Sequence, residues 1–174
     1  MNSASIKTHL LELDSMFTET VGNVLQGTIN DVLILTRADS LDELEPVEKT
    51  MIGIAFEKRL LYELGLPTKR ERRSMKLDTE INGIPLDIKF SISQSVMIPR
   101  ECVNQWILMV MAKMQGQTYS VGIIKAKERF LTKGGNRDGK VTISKFGKNH
   151  IEWMCEDVPI PQIDWICPTQ PMMD

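Results

Sequence analysis

The chain has 174 residues, 42% of them apolar and 25% charged, with a formal net charge of −2. That is enough material for one domain with a sizeable core. No run of 18 apolar residues occurs, which excludes a membrane-spanning helix, and residues 1–9 lack the apolar segment of a secretion signal. Cys102, Cys155 and Cys167 are odd in number and far apart, with no C-x-x-C pair. That usage predicts a reducing, cytoplasmic setting rather than a disulfide or zinc framework. The small net charge conceals segregation. Residues 1–50 carry −6, residues 51–150 carry +9 and residues 151–174 carry −5. A positive middle section suits a polyanionic partner. The expected organisation is a single domain over 1–174, with N-terminal helices in 1–40, a core in 44–155 and a proline-rich acidic tail in 156–174.

Residues 5–36 read as helical, because Leu10, Leu13, Phe17, Val21, Val24 and Leu25 recur at three- and four-residue steps. Gly22 and Gly27 are the places where this stretch would break in two. A linker over 37–44 ends in an acidic helix start, with Ser40 or Asp42 as the expected cap. The next helix is predicted over about 44–64, stopped by Gly65 with Pro67 just beyond. Its apolar stripe reads as Val47, Met51, Ile54, Leu61 and Leu64, and Glu57 falls on that same stripe. A carboxylate on a buried face needs a partner. An edge position paired with a neighbouring base is one reading, and an acid aimed at a functional site is the other. The loop that follows holds Lys69, Arg70, Arg72, Arg73 and Lys76. It is either a solvated basic loop or a set of phosphate contacts.

Residues 77–90 carry the chemistry. Asn82 and Gly83 form the strongest short-range signal for a two-residue turn, since both central residues take positive φ. Counting outward from that turn pairs Ile81 with Ile84, Glu80 with Pro85, Thr79 with Leu86 and Asp78 with Asp87. Directly opposed side chains lie about 4.5–5.5 Å apart at Cβ and share a face. Alternation then adds Lys89 to the face of the two aspartates and sends Leu86, Ile88 and Phe90 to the other. Opposed carboxylates repel unless a positive group lies between them. Mg²⁺ suits that place, because it takes carboxylates together with waters and phosphate oxygens. A nearby lysine that holds a water or offsets phosphate charge completes a hydrolytic site. The competing reading is a solvated hairpin in which Asp87 simply pairs with Lys89.

Beyond the hairpin, Pro99 suits a first helical position, and a helix is predicted over 99–115, with residues 106–112 apolar nearly all round. Gly116 ends it, and a strand over 119–125 is expected beside the hairpin. Residues 133–140, with Lys133, Arg137 and Lys140, form a flexible basic loop that matches neither a calcium loop nor a P-loop. Lys145 and Lys148 fall on a short helix capped by Ser144. The tail from 156 is expected to be extended, because it holds four prolines.

A helical glutamate, a hairpin with Asp78, Asp87 and Lys89 in the D-x8-D-x-K pattern, then an apolar helix and a strand resemble the PD-(D/E)xK nuclease superfamily. Residues 53–155 resemble more specifically the nuclease domain of NaeI-type restriction endonucleases. The matching positions are Gly53 and Glu57, Asp78, Asp87, Ile88 and Lys89, Ile98, Pro99 and Gln105, Ser120 to Gly122, Asn136 to Lys140, Ser144, and His150 to Trp153. The resemblance implies an α/β fold with a central mixed sheet flanked by helices, Mg²⁺-dependent cleavage of double-stranded DNA, and a homodimer. It implies a catalytic set of Asp78, Asp87 and Lys89 with Glu57 as fourth member. The metal would rest on Asp78, Asp87 and the Ile88 carbonyl, with Glu57 a further ligand.

Under this reading Lys69, Arg70, Arg72, Arg73, Lys133, Arg137, Lys140, Lys145 and Lys148 contact DNA. The implied activity is that of a sequence-specific type II restriction endonuclease. A nicking or structure-selective repair nuclease would use the same site. A non-catalytic DNA-binding module would keep the fold alone.

Overall fold

The computed structural model describes residues 3–92, 95–113 and 117–161. Four α-helices and seven strands follow one another in it. Helices α1 (Ser3–Leu13), α2 (Phe17–Thr36) and α3 (Pro46–Glu63) come first, and strands β1 (Thr79–Ile81) and β2 (Ile84–Ser91) form the hairpin. Then come β3 (Met97–Ile98), β4 (Trp106–Lys113), β5 (Thr118–Lys125), β6 (Val141–Thr142), α4 (Lys145–Lys148) and β7 (Glu152–Pro159). The main sheet has the order β1-β2-β4-β5-β7. Only β2 and β4 run parallel and every other pairing is antiparallel, so the sheet is mixed as expected. Strands β3 and β6 form a separate two-stranded ribbon.

The N-terminal helices break where the sequence reading did not place the break. The glycines stay inside α2, where Gly22 packs against the Tyr119 ring, and the interruption comes at residues 14–16. There Asp14 accepts the Met16 amide at 2.8 Å and bonds the Thr20 hydroxyl, so a local side-chain turn displaces helical bonding. Neither Ser40 nor Asp42 caps α3. Glu45 does so, in a capping box with Glu48 and with Pro46 at the first turn. Helix α3 buries Ile52, Phe56, Leu60 and Leu61, not the predicted stripe, while Val47, Met51 and Ile54 are exposed. Leu61 is the one residue the two sets share within the helix.

The helix predicted over 99–115 does not form. Residues 100–102 make one 3-10 turn after Pro99, and the apolar run is strand β4. Burial on both faces produced the misreading. Leu108, Val110 and Ala112 enter a core under α1, α2 and α3, while Ile107 and Met109 enter a second core with Val96, Ile98, Cys102 and Phe130. A strand covered on both sides reads as continuous apolar sequence, which periodicity cannot separate from a buried helix. In consequence β5 lies one strand away from the hairpin, with β4 between them. The proline-containing tail is extended over its first residues, since 156–159 belong to β7, and residues 162–174 lie outside the described range. No helix among the described residues is long and apolar enough to cross a membrane.

Candidate active site

The hairpin register is the one counted from the turn: Thr79 opposite Leu86, Glu80 opposite Pro85 and Ile81 opposite Ile84. Asn82 and Gly83 take φ of 49° and 77°, the left-handed pair that this turn demands. Asp78 immediately precedes β1, and its Oδ2 accepts the Ile88 amide at 2.9 Å. Thr79 anchors the preceding loop by donating its hydroxyl to the Pro67 carbonyl at 2.8 Å. On β2, Leu86 and Ile88 enter the helix-side core, which leaves Asp87 and Lys89 on the opposite face. That face is not open to water. Asp87 is only 2% exposed, in the second layer where Cys102 and Ile107 also lie.

Lys89 joins the two acids. Its Nζ lies 2.6 Å from Asp87 Oδ2 and 3.9 Å from Asp78 Oδ2, and it donates to the Ile88 carbonyl at 3.2 Å. Asp87 Oδ2 is buried, and the Lys89 ammonium is its ion-pair partner. Burial, reinforced by the adjacent Asp78 charge, holds the Asp87 carboxyl above the usual range. Burial also pushes Asp78 upward, but the Ile88 amide, Lys89 and Lys69 outweigh it, and Asp78 ends below the usual range. Side by side, the two acids titrate as a pair, with Asp78 the stronger acid and Asp87 the weaker. Lys89 is destabilised by burial, but Asp87, Asp78 and Glu57 outweigh that and keep it charged.

Glu57 reaches the same field from α3. Burial, partly offset by Lys89 and reinforced by the two aspartates, pushes its carboxyl up to about 7. Two partners were not foreseen from the sequence. Lys69, assigned to a phosphate-contact loop, places Nζ 3.2 Å from Asp78 Oδ1. Cys102 lies near Asp87, and burial followed by the Asp87 charge pushes its thiol up to about 12. No spacing rule marks a cysteine that the chain crossover brings to a strand 15 residues earlier in the chain.

A groove of about 620 Å³ adjoins the cluster. Helix α3 supplies Lys49, Ile54 and Glu57 to it, and the far side supplies Met97, Glu101 and Lys140. Of the other basic candidates, Arg72 pairs with Glu80. Arg70, Arg73, Lys133, Arg137, Lys145 and Lys148 are exposed, and the last two lie on α4.

The donor set fits a hard divalent cation: two adjacent carboxylates, one of them buried, and a backbone carbonyl. Among the described residues no three histidine, cysteine, aspartate or glutamate side chains stand together in ligand geometry. Glu57 therefore stands apart from the aspartate pair in this conformation.

A family profile described as restriction endonuclease NaeI matches residues 5–167. A curated relative, the type II restriction enzyme NaeI of Lentzea aerocolonigenes, is 29% identical over 149 residues. That alignment covers 84% of this chain and 45% of the relative, so the chain spans about half the length of the protein it matches.

Proposed function

The chain belongs to the restriction endonuclease NaeI family, and from that premise we propose that it is a Mg²⁺-dependent, site-specific endodeoxyribonuclease of type II character. It acts on double-stranded DNA in the cytoplasm as a homodimer. The observation that carries this reading is the convergence of Asp78 and the buried Asp87 on the Lys89 ammonium.

Asp78 and Asp87 would hold the cation with the Ile88 carbonyl, and Glu57 would orient Lys89 or add a ligand. The ion, when bound, neutralises charge on the phosphoryl oxygens and lowers the pKa of a bound water. Lys89 remains an ammonium, so it donates hydrogen bonds to the attacking water and to a phosphate oxygen and does not act as a base. Glu57, with its carboxyl at about 7, would accept the proton that this water loses. A P–O bond forms to the water oxygen, the bond to the 3′ oxygen breaks, and a solvent water protonates the departing oxygen. The products are a 5′-phosphate and a 3′-hydroxyl. Lys140 and the exposed cations Arg70, Arg73, Lys133, Arg137, Lys145 and Lys148 contact the backbone. Lys69 and Arg72 contribute from their ion pairs.

Incubation with supercoiled plasmid in Mg²⁺ and in EDTA tests this, with sequencing of the fragment ends. Linear products with one recurrent end sequence, absent in EDTA, are expected. Open circles alone would indicate a nicking enzyme. DNA bound but never cut would leave only a binding module.

A further inference from the structure

A second cationic site lies away from the catalytic groove and uses none of the groove's residues. Trp106 opens β4 and pairs with Leu86, level with the start of β2, whereas the groove reaches Phe90 and Ser91 at the end of β2. Around Trp106 and Phe130 the chain gathers Lys125, Lys127 and Arg129, lining a cavity of about 330 Å³ with His150. Lys125 Nζ lies 5.7 Å from the Trp106 ring centroid. Lys127 Nζ and the Arg129 guanidinium lie 5.8 Å and 4.9 Å from that of Phe130. Among the described residues no carboxylate comes within 4 Å of these three charged heads. Surface cations usually find acids, but these rest on π faces and leave their donors available.

The rings are ordered for contact. His150 stacks on Phe130 at 4.2 Å, and Phe146 lies 4.6 Å from His150 while remaining 57% exposed. Gly147 allows this, because a Cβ there would fall 2.1 Å from the Phe130 carbonyl oxygen. The segment 125–150 carries eight basic and two acidic residues.

We propose that this cluster is a second binding site, for a single-stranded nucleic-acid segment, in which an unpaired base stacks on Phe146 and His150 and adjacent phosphates meet Lys125, Lys127 and Arg129. Stacking needs a base face, which a paired duplex does not present, and the cations need phosphate. The site does not depend on the cleavage reading, because its occupancy involves no bond breaking.

The test is fluorescence anisotropy of a labelled short oligothymidylate on the Asp87→Ala protein in EDTA. Lys127→Ala/Arg129→Ala should weaken binding roughly tenfold and flatten the log–log salt slope by about 1.4. Phe146→Ala should weaken it roughly fivefold or more without lowering the melting temperature. Lys140→Ala, in the groove beside the acidic cluster, should weaken it far less than the double variant does. The conservative Lys127→Arg/Arg129→Lys exchange should retain binding. Displacement by thymidine monophosphate assigns a single-nucleotide pocket, and displacement only by unlabelled strand assigns a strand track. Unchanged affinity in the double variant overturns the proposal. So does a loss on Lys140→Ala equal to that of the double variant, or equal competition by a duplex of the same length.

Discussion

Asp87 is a buried acid beside Asp78, ion-paired with Lys89, and burial raises its pKa. Asp87→Asn keeps the shape and removes the repulsion. Cleavage should fall by well over the 10- to 100-fold that loss of a ligand's supporting partner already causes. The melting temperature in EDTA should hold or rise. A variant that cuts at the parent rate would remove Asp87 from the site. Glu57 offers a separate test with a definite sign. Its folded pKa of about 7 lies above its ordinary 4.5, so the fold favours the protonated carboxyl. That contribution is fully present below about pH 4.5, is lost as pH rises towards 7, and is absent above it. Glu57→Gln holds the neutral form at every pH. Without metal it should therefore melt with the parent at pH 5 and higher than the parent at pH 8, by an amount on the order of 1–3 kcal/mol. Equal shifts at both pH values would show that Glu57 is not the buried acid described.

At the scale of elements, the hairpin is both the most legible part of the sequence and the part that builds the site. Its turn leaves little choice: Gly83 at φ 77° occupies a region where a Cβ is strained. Gly83→Ala should cost about 1 kcal/mol in urea unfolding, because the open space around it removes strain against neighbours but not within its own backbone. A loss near zero would mean that the turn relaxes to another type. From this turn, counting alone places Asp78, Asp87 and Lys89 together, since strand pairing is strictly periodic. Strand β4 was illegible for the opposite reason. With Leu108 and Met109 entering different cores, no polar face remains to report the period. Helix α3 misled in a third way. Its Val47, Met51 and Ile54 stripe is apolar yet exposed, and Ile54 lines the groove beside the acidic cluster. The core contact falls to Phe56, whose ring lies 5.1 Å from that of Phe90. Hydrophobicity at helical spacing gives a face, but not which of two apolar faces meets the sheet.

For the molecule as a whole, the charge segregation read from sequence becomes a division between cations that complete the acidic cluster and cations left for a partner. Lys69 is held on Asp78 and Arg72 on Glu80, while Arg70 and Arg73 of the same loop are exposed and make no ion pair among the described residues. A phosphate contact by Arg72 must first compete with Glu80, whereas Arg70 and Arg73 start unpaired. Duplex affinity should fall steeply with salt, each neutralised phosphate adding roughly 0.9 to the log–log slope. Arg70→Ala/Arg73→Ala should flatten that slope by up to about 2, and Arg72→Ala by clearly less than about 1, since part of its charge is already met within the protein. Because phosphate contacts carry no base identity, the double change should weaken binding to all duplex sequences alike. Titration of the Asp87→Asn protein with duplexes of different sequence, over a range of salt concentrations, measures both effects. If Arg72→Ala flattens the slope as much as the double change does, the Glu80 pair opens on DNA and the division between held and free cations fails. If the loss is confined to one base position, the loop reads sequence and its place is in a groove of the DNA, not along the phosphates.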